Sequence, residues 1–330
     1  MKKHIAILGG GHMGTALAVC AATHAPVVLW SIEPDVVVDV NKKHRNTRYL
    51  PGKPLHPRIR ATGDLAAAVR GAKLIVLAVP SHVVAFATTE MRPFLSKGTE
   101  IVNVAKGVDP KTLQPLMRTV QQLLPAGFRT SCATLSGPSI ATEVANGVST
   151  VVNIAADRLP VAQRIARQLE TRSFRLRATT DVEGTALGGT LKNIYALLLG
   201  MCDGSRFGDN TKAALMTLAV EEMNTLMCAL GARSSDAVHG FAGLGDLFVT
   251  GTSVHSRNRS FGEELGTDKG SRTKMQDPTQ TIEGVKAVRA IAPFARKKKL
   301  DTPLLFAVER ILFKNATPAK TINTMLARIR

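Results

Sequence analysis

The sequence predicts an α/β domain built on a doubly wound, largely parallel sheet, followed by an all-helical domain. In the first half, short runs of β-branched residues alternate with amphipathic stretches, which is the pattern of βαβ units. After Thr180 these runs disappear, and long segments rich in Ala, Leu and Met follow, such as residues 211–230. A chain of 330 residues has ample length for two cores. We therefore predict one domain over residues 1–185 and a second over residues 186–330.

The first predicted strand, His4–Leu8, leads directly into a glycine-rich turn of the form G-x-G-x-x-G, Gly9-Gly10-Gly11-His12-Met13-Gly14. In such a turn the first glycine permits a tight bend, the second admits a pyrophosphate close to the backbone, and the third lets the following helix pack on the strand. The helix N-terminus adds free N–H groups for the phosphates. A second strand, Val27–Trp30, ends close to Glu33, about 20 residues beyond the turn, where a ribose-binding acid is expected. The first domain is thus predicted to be Rossmann-like and to bind a dinucleotide.

The other elements follow in order along the chain. Asp64 is placed to cap a helix, Pro80-Ser81 ends a strand and begins a helix, and a further helix is expected over residues 160–170. In the second domain, helices continue to the end, with breaks at residues 240–245 and at the polar stretch 266–280, which is predicted to be a loop. The remaining strands are predicted at residues 58–62, 73–79, 100–104, 131–135 and 149–154.

The net charge limits the class of partner. A formal charge of +18 suggests nucleic acid, because clustered Lys and Arg release counterions from phosphate backbones. The basic residues are spread along the whole chain, however, and only Arg296–Lys299 forms a run. Aromatic residues that could stack on bases make up 4% of the chain. We therefore predict no nucleic-acid partner and expect the positive field to steer a small anionic ligand.

Composition also bears on location and on metals. No apolar stretch approaches the roughly 20 residues of a membrane-spanning helix, so no membrane insertion is expected. The N-terminal residues run straight into the first strand and leave no room for a signal peptide. The cysteines, Cys20, Cys132, Cys202 and Cys228, show neither zinc spacing nor a disulfide framework. These observations predict a cytoplasmic protein without a metal, and the apolar helical faces of the second domain favour a homodimer.

A dehydrogenase for an alcohol or a ketone needs a proton donor and an anchor for the substrate. Lys192 lies in an otherwise apolar helical stretch, where desolvation would lower its pKa and make it a general acid/base. Asp246, which follows Gly243 and Gly245, is its natural charge partner, or else a helix N-cap. Lys106 follows a strand end, where α/β sheets bind ligands, or is a solvent-facing loop lysine. Ser256-Arg257-Asn258-Arg259 is a candidate phosphate or oxyanion clamp, or an ordinary surface segment.

Taken together, these segments resemble the NAD(P)-dependent glycerol-3-phosphate dehydrogenase family, and the resemblance runs nearly from end to end. So many motifs in the same order make the resemblance highly specific. The segments that carry it are Gly9–Ala18, Asn46–Gly52, Val79–Ser81, Lys106–Asp109, Leu135–Ser139 with Glu143, Gly189–Asn193, Cys202–Gly204, Phe207–Ala214, Ala242–Leu247, Ser256–Arg259 and Glu283-Gly284.

The resemblance implies reversible reduction of dihydroxyacetone phosphate to sn-glycerol 3-phosphate, which supplies glycerophospholipid synthesis. By the family pattern, Lys192 is the acid/base at C2, while Lys106 and Asp246 hold and polarise the reacting hydroxyls. The residues implied to bind substrate are Lys106, Gly137, Ser139, Lys192, Asn193, Asp246, Ser256, Arg257 and Asn258. Those implied to bind the cofactor are Gly9, Gly11, His12, Met13, Gly14, Glu33, Lys106, Ala141, Arg257, Thr281 and Glu283.

Three positions depart from the family pattern. His12-Met13 replaces a small residue followed by an aromatic one, and Ser205-Arg206 stands where small or apolar residues are usual. These two departures leave a related ketone or β-hydroxyacid open as the substrate. The stretch Trp30–Glu33 lacks a basic residue for a 2′-phosphate, and Glu33 would accept a hydrogen bond from a free 2′-hydroxyl. NAD(H) is therefore favoured, while Arg48 leaves NADP(H) open. A cofactor-binding protein without catalysis is a third hypothesis, which the intact set of charged candidates disfavours.

Overall fold

The computed structural model describes residues 3–233, 236–267 and 282–327. The chain divides into two compact units, Met1–Ala105 with Pro115–Val182, and Lys106–Gln114 with Glu183–Arg330. The predicted order, a sheet domain followed by a helical one, is confirmed. The expected division was continuous at residue 185, whereas the units interleave. Segment Lys106–Gln114 groups with the helical unit because Val108 packs against the apolar core of that unit.

The first unit is built on one large sheet of parallel strands with a single antiparallel pair. Eight strands follow the order β10-β9-β8-β7-β6-β1-β2-β5, and the small pair β3–β4 forms a separate antiparallel hairpin. Only β8 and β9 run antiparallel within the large sheet. The strands described are β1 (His4–Leu8), β2 (Val27–Trp30), β3 (Arg45–Asn46), β4 (Leu50–Pro54), β5 (Ile59–Thr62), β6 (Ala72–Leu77), β7 (Glu100–Asn103), β8 (Cys132–Ser136), β9 (Thr150–Ala155) and β10 (Phe174–Thr179).

Both faces of the sheet are buried, which explains the continuous apolar runs in its central strands. In β1, Ile5 and Ile7 join one apolar cluster while Ala6 and Leu8 join another. The described helices of this unit, α1 (His12–Ala21), α2 (Pro34–Lys43), α3 (Leu65–Val69), α4 (Val84–Met91), α5 (Leu116–Leu123), α6 (Ala126–Arg129), α7 (Ala141–Ala145) and α8 (Leu159–Leu169), connect the strands.

Local sequence signals account for most of these elements. The carboxylate of Asp64 accepts hydrogen bonds from the backbone N–H groups of Ala66 and Ala67 at 2.8 and 3.1 Å, so the predicted cap of α3 is present. Strand β10 was not predicted, although Phe174 to Arg177 alternates buried apolar with exposed basic residues. Such alternation is typical of a strand with one exposed face, and β10 is the edge strand of the sheet.

The second unit is helical in every element that the structure describes. Its longest helix, α9 (Val182–Gly204), is buried over almost its whole length, so it is apolar all round rather than amphipathic. Within the described ranges, no helix is long and apolar enough to cross a membrane. The other helices are α10 (Asp209–Ala229), α11 (Asp236–His239), α12 (Asp246–Thr252), α13 (Arg257–Gly266), α14 (Glu283–Lys297), α15 (Pro303–Phe313) and α16 (Pro318–Leu326).

Helices α9 and α13 pack backbone against backbone. Each contributes to the contact a pair of glycines four residues apart, Gly200 and Gly204 from α9 and Gly262 and Gly266 from α13. A Cβ atom on any of them would overlap a backbone atom of the opposite helix. Because both backbones are this close, the two helices are held in one relative position. The predicted loop at residues 266–280 begins where α13 ends, and residues 268–281 lie outside the described part of the chain.

Candidate active site

Three charged side chains that lie far apart in the sequence meet in the second unit. Lys192 lies in the middle of α9, Asp246 is the first residue of α12, and Lys106 begins the segment that groups with this unit. Asp246 accepts a hydrogen bond from Lys192 Nζ at 2.7 Å through Oδ1 and one from Lys106 Nζ at 2.5 Å through Oδ2. Lys192 is 5% exposed and Asp246 is 1% exposed. The three candidates therefore form one charge cluster, in which Lys192 and Asp246 are buried and Lys106 is partly exposed.

The electrostatics of this cluster favour proton exchange at Lys192. Burial lowers the pKa of Lys192, and the positive charge of Lys106 lowers it further, while Asp246 acts in the opposite direction. Burial raises the pKa of Asp246, but the ammonium groups of Lys106 and Lys192 outweigh burial, so its pKa is lowered overall. Asp246 is therefore a carboxylate, and Lys192 is an amine whose pKa lies closer to neutrality than that of an ordinary lysine. An amine of this kind suits general acid/base chemistry.

Thr250 completes the cluster, and the sequence analysis missed it. It follows Asp246 by one turn of α12, so both side chains lie on the same helix face. Thr250 Oγ1 accepts a hydrogen bond from Lys192 Nζ and donates one to Asp246 Oδ1 at 3.2 Å. An ammonium group has three donors. Asp246 and Thr250 each accept a hydrogen bond from one of them. The spacing of four residues after a candidate acid was the signal available in the sequence.

A pair of asparagines joins α9 to the N-terminal turn of α13. Asn193 Oδ1 accepts a hydrogen bond from Asn258 Nδ2 at 2.9 Å, and Asn258 Oδ1 accepts one from the backbone N–H of Gly284 at 2.9 Å. The side-chain amide of Asn258 therefore has a protein partner on each side. Ser256 caps α13 by accepting a hydrogen bond from the Arg259 N–H at 3.2 Å, and Arg257 is exposed in the first turn. This arrangement presents the Arg257 guanidinium from a fixed helix terminus.

A second ionic network, centred on Asp203, anchors α13 to α9. Asp203, near the end of α9, pairs with Lys212 Nζ at 2.8 Å and with an Arg259 guanidinium nitrogen at 2.7 Å. Arg259 also pairs with Glu263 at 3.1 Å. The two residues that follow Arg257 thus anchor it to α9, Asn258 through Asn193 and Arg259 through Asp203. The network explains why the segments around residues 202–204 and 207–214 stand out in the sequence, although it contains none of the predicted catalytic residues.

The departure at Ser205-Arg206 has a structural role. Ser205 Oγ donates a hydrogen bond to the backbone oxygen of Gly266 at 3.1 Å, which joins the C-terminal ends of α9 and α13. Arg206 adopts a left-handed backbone conformation with φ of 59° and is exposed. Among the described residues, no hydrogen bond or ion pair joins either side chain to Lys192, Asp246 or Lys106. The departure therefore lies in the helix junction and not in the charge cluster.

In the first unit, the glycine-rich turn has the geometry that a pyrophosphate requires. Gly9 has φ of 121°, and a Cβ atom there would meet the backbone of Ala78. A Cβ atom on Gly14 would overlap the Gly9 carbonyl, whereas one on Gly11 would enter open space. Within the described residues, α1 has no side-chain cap and no acid in its first turn. The turn thus leaves room beside Gly11 and presents the positive end of a helix, which fits a dinucleotide phosphate.

Glu33 lies at the start of α2, beside this turn, with both carboxylate oxygens hydrogen-bonded. Oε1 accepts a hydrogen bond from the hydroxyl of Tyr49 at 2.7 Å, and Oε2 accepts one from the hydroxyl of Ser31. Burial raises the pKa of Glu33, but these two hydrogen bonds, together with its own backbone and the charge of Arg48, outweigh burial and lower it. Glu33 is therefore a fixed carboxylate. Sequence analysis identified Glu33 but neither of the hydroxyls that hold it.

The remaining candidates lie in both units. Gly137 has φ of 149° and packs against Val152, which leaves no space for a side chain, and Ser139 donates a hydrogen bond to the Gly137 oxygen at 3.0 Å. Ala141 begins α7. In the glycine-rich turn, His12 is exposed and Met13 packs on the apolar cluster below. Glu283 begins α14 in the second unit, and Thr281 lies outside the described residues. Over the described ranges, no group of three or more His, Cys, Asp or Glu side chains is placed to hold a metal ion.

Comparisons with known proteins find relatives for both parts of the chain. Residues 4–162 match the family model of the N-terminus of NAD-dependent glycerol-3-phosphate dehydrogenase, and residues 181–323 match that of its C-terminus. The chain is 39% identical to the NAD(P)+ glycerol-3-phosphate dehydrogenase of Moorella thermoacetica, over 100% of this chain and 97% of that protein. Identity to the same enzyme of Anaeromyxobacter sp. (strain K) is 38%, over 98% and 97% of the two chains. The crystal structure of a glycerol-3-phosphate dehydrogenase from Coxiella burnetii is similar over 99% of both chains, with a TM-score of 0.89 and 35% identity.

Proposed function

Because the chain belongs to the NAD(P)-dependent glycerol-3-phosphate dehydrogenase family, we propose that its cluster of Lys192, Asp246 and Lys106 catalyses the interconversion of dihydroxyacetone phosphate and sn-glycerol 3-phosphate. The protein is an NAD(P)+-dependent oxidoreductase, since relatives that match it over its full length carry this activity. The observation that supports the assignment of the catalytic residues is the contact of Asp246 with both lysines in a buried environment.

Lys192 is the proton donor in the proposed reduction. When bound, the nicotinamide cofactor supplies a hydride to the C2 carbonyl carbon or takes one from C2 of the alcohol. As the C2 oxygen gains negative charge, the Lys192 ammonium gives it a proton and becomes a neutral amine. In the oxidation, that amine takes the proton back. Asp246 holds Lys192 in place and stabilises its charged form, and Lys106 contacts a substrate hydroxyl together with Asp246.

The phosphate of the substrate is proposed to bind at the N-terminal turn of α13. Arg257 supplies a guanidinium that can form two parallel hydrogen bonds to phosphate. Ser256 and Asn258 belong to the same clamp, and the partners of Asn258 on Asn193 and Gly284 favour a role in aligning the turn. Gly137 and Ser139 are proposed to contact the substrate on the basis of the family pattern.

The cofactor is proposed to be NAD(H) in preference to NADP(H). A fixed Glu33 carboxylate accepts a hydrogen bond from a free ribose 2′-hydroxyl and repels a 2′-phosphate. The glycine-rich turn, with Gly9, Gly11 and Gly14, is proposed to hold the pyrophosphate. By the family pattern, further cofactor contacts come from His12, Met13, Lys106, Ala141, Arg257, Thr281 and Glu283.

The cellular setting is proposed from the cysteines and from the exposed apolar residues of the second unit. All four cysteines are free thiols, three of them buried, which is typical of a reducing cytoplasm. Leu244, Phe248 and Val254 are exposed apolar residues in one stretch of the second unit, which favours a homodimer. Cell fractionation and light scattering of the purified protein test these two points. Phosphate-labelled product found in glycerophospholipids would support a role in their synthesis.

The experiment that tests the function follows NADH oxidation with dihydroxyacetone phosphate as substrate. Wild type is compared with Lys192→Met and with a matched control, Lys320→Met, which removes an exposed lysine on α16. Loss of a general acid typically costs about 10²–10⁴-fold in kcat, and the control should keep its activity. Turnover of a carboxylate-bearing ketone but not of the phosphate ester would favour the alternative substrate class. Equal activity of wild type and Lys192→Met would overturn the proposed role of Lys192.

A further inference from the structure

We propose that Tyr49, with Ser31, is a specificity-determining residue that holds the Glu33 carboxylate in the position where it selects NAD(H) against NADP(H). The inference rests on the proposed preference for NAD(H) and assigns it to a set of residues rather than to Glu33 alone. Tyr49 is a positioning residue in this proposal, because it acts on the cofactor through Glu33.

The hydrogen bonds to Glu33 fix the orientation of its carboxylate and still leave lone pairs that can accept a further hydrogen bond. A carboxylate offers about four lone-pair sites. Tyr49 and Ser31 each occupy one, on different oxygens, so the group cannot rotate but still has room to accept a bond from a ribose hydroxyl. Ser31 is 1% exposed and its Oγ also accepts a hydrogen bond from the Glu33 N–H at 3.4 Å. The Ser31 anchor is therefore rigid, and Tyr49 is the second point that defines the plane of the carboxylate.

Tyr49 is itself tied to the glycine-rich turn. Its backbone N–H donates to the Asn46 oxygen at 3.3 Å, and Asn46 Nδ2 donates to the Gly10 oxygen at 2.8 Å and to Thr15 Oγ1 at 2.7 Å. The ring of His12 stands edge-on to the Tyr49 ring with centroids 5.1 Å apart. The unusual His12 in the turn thus packs against the residue that positions Glu33. Tyr49 links the part of the site suited to pyrophosphate with the part suited to ribose.

Arg48 is the basic residue that could bind a 2′-phosphate if Tyr49 did not hold Glu33 in place. Its guanidinium lies 5.6 Å from the centroid of the Tyr49 ring and 3.3 Å from an oxygen of Asp35. Arg48 is exposed, so it can leave Asp35 for a stronger anion. While Glu33 is fixed, its charge opposes a 2′-phosphate. Once the Tyr49 hydroxyl is removed, Glu33 can rotate away and Arg48 can pair with that phosphate.

The test is a double-mutant cycle on the ratio of kcat/KM for NADH to kcat/KM for NADPH, with dihydroxyacetone phosphate as substrate. We expect Tyr49→Phe to lower this ratio about tenfold, as the loss of a hydrogen bond to a charged group does, mainly through KM, with kcat for NADH retained. In the Glu33→Gln background, Tyr49→Phe should change the ratio by less than about twofold. Ser31→Ala should act in the same direction as Tyr49→Phe.

Tyr195→Phe is the matched control, because it also removes a phenol that donates to a carboxylate, Glu222, at 3.1 Å in the other unit. It should leave the ratio unchanged. Trp30, the single tryptophan of the chain, lies three residues before Glu33 and reports binding by fluorescence without turnover. Each protein is titrated with NADPH and with NADH. The ratio of the Kd for NADPH to the Kd for NADH should be about tenfold lower in Tyr49→Phe than in wild type.

The outcomes separate the two proposals. A wild type that prefers NADPH, with no change in Glu33→Gln, would overturn the preference for NAD(H). A wild type that prefers NADH, with the same ratio in Tyr49→Phe, would overturn the role of Tyr49 alone. An equal effect of Tyr49→Phe with and without Glu33 would also overturn it, since Tyr49 would then act by another route.

Discussion

Among its described residues, the helical unit contains two buried carboxylates, Asp246 and Glu222, whose pKa values are shifted in opposite directions. Asp246 faces the ammonium groups of Lys192 and Lys106, and its pKa is lowered. Glu222 accepts hydrogen bonds from the Tyr195 hydroxyl at 3.1 Å and from the backbone N–H groups of Leu304 and Leu305, at the start of α15. Burial and the nearby Asp301 raise the pKa of Glu222 to about 7, against the effect of those hydrogen bonds.

The comparison teaches that burial of an acid does not by itself identify a reactive site. Both carboxylates contact α9 within one turn of each other, Asp246 at Lys192 and Glu222 at Tyr195. Glu222, on α10, and its neutral partners on α9 and α15 join three helices, so this carboxylate has a structural role. The charged partners of Asp246 include an amine with a lowered pKa, which indicates a role in catalysis. Variants of the two carboxylates test this distinction, and variants of the α9–α13 contact test what maintains the site.

The largest effect is expected from breaking and then replacing the Lys192–Asp246 pair. Asp246→Leu leaves two buried or half-buried ammonium groups without their counterion and should lower the free energy of unfolding by about 3–5 kcal/mol. The double variant Lys192→Met/Asp246→Leu should recover part of that stability, because an apolar pair replaces the more deeply buried ammonium and its counterion, and Lys106, which is partly exposed, alone stays unpaired. Its kcat should stay at least about 10³-fold below wild type. Denaturant unfolding measures the stability, and NADH oxidation measures kcat. A stable double variant with wild-type kcat would contradict the catalytic role of the Lys192–Asp246 pair.

Glu222→Gln should change the pH dependence of stability but not the chemistry. A raised pKa means that the folded state binds its proton more tightly than the unfolded state. The stability that proton binding by Glu222 contributes to the folded state is therefore complete below pH 4.5 and is lost as the pH rises through about 7. The shift corresponds to about 3 kcal/mol. The free energy of unfolding of wild type should fall over this range relative to the Gln variant, while kcat stays within about twofold. Parallel curves for the two proteins would show that Glu222 is ionised throughout.

Sequence patterns predicted the fold more fully than the arrangement of the site. The central strands and the buried helix around Lys192 have strong local signatures, because most of their residues are apolar and buried. Strand β10 and the β3–β4 hairpin were missed, since alternate side chains of β10 are exposed and the hairpin has few buried side chains. Lys192 and Asp246 were identifiable as charges in apolar or glycine-flanked stretches. Thr250 and Tyr49 were not, because a hydroxyl has no distinctive pattern until the fold places it beside a carboxylate.

Gly200→Ala tests whether the backbone contact of α9 with α13 maintains the site. A methyl group there would overlap the Arg259 carbonyl, so the helices must separate. We expect a loss of about 1–3 kcal/mol in the free energy of unfolding and a higher KM for dihydroxyacetone phosphate. Gly127→Ala is the control, because a Cβ atom on Gly127 meets nothing within 4 Å. That change should leave stability unchanged or raise it by a few tenths of a kcal/mol.

The smallest effect is expected at Asp203, which touches neither member of the Lys192–Asp246 pair. Asp203→Asn weakens the pairs with Lys212 and Arg259, so α13 and its Arg257 lose one of their anchors to α9. Because the phosphate clamp is affected and the proton donor is not, KM for dihydroxyacetone phosphate should rise about five- to tenfold while kcat changes little. Steady-state kinetics at saturating NADH separate the two constants. A fall in kcat with unchanged KM would instead show that Asp203 acts on the proton donor Lys192. The phosphate clamp and the proton donor would then not be held by separate contacts.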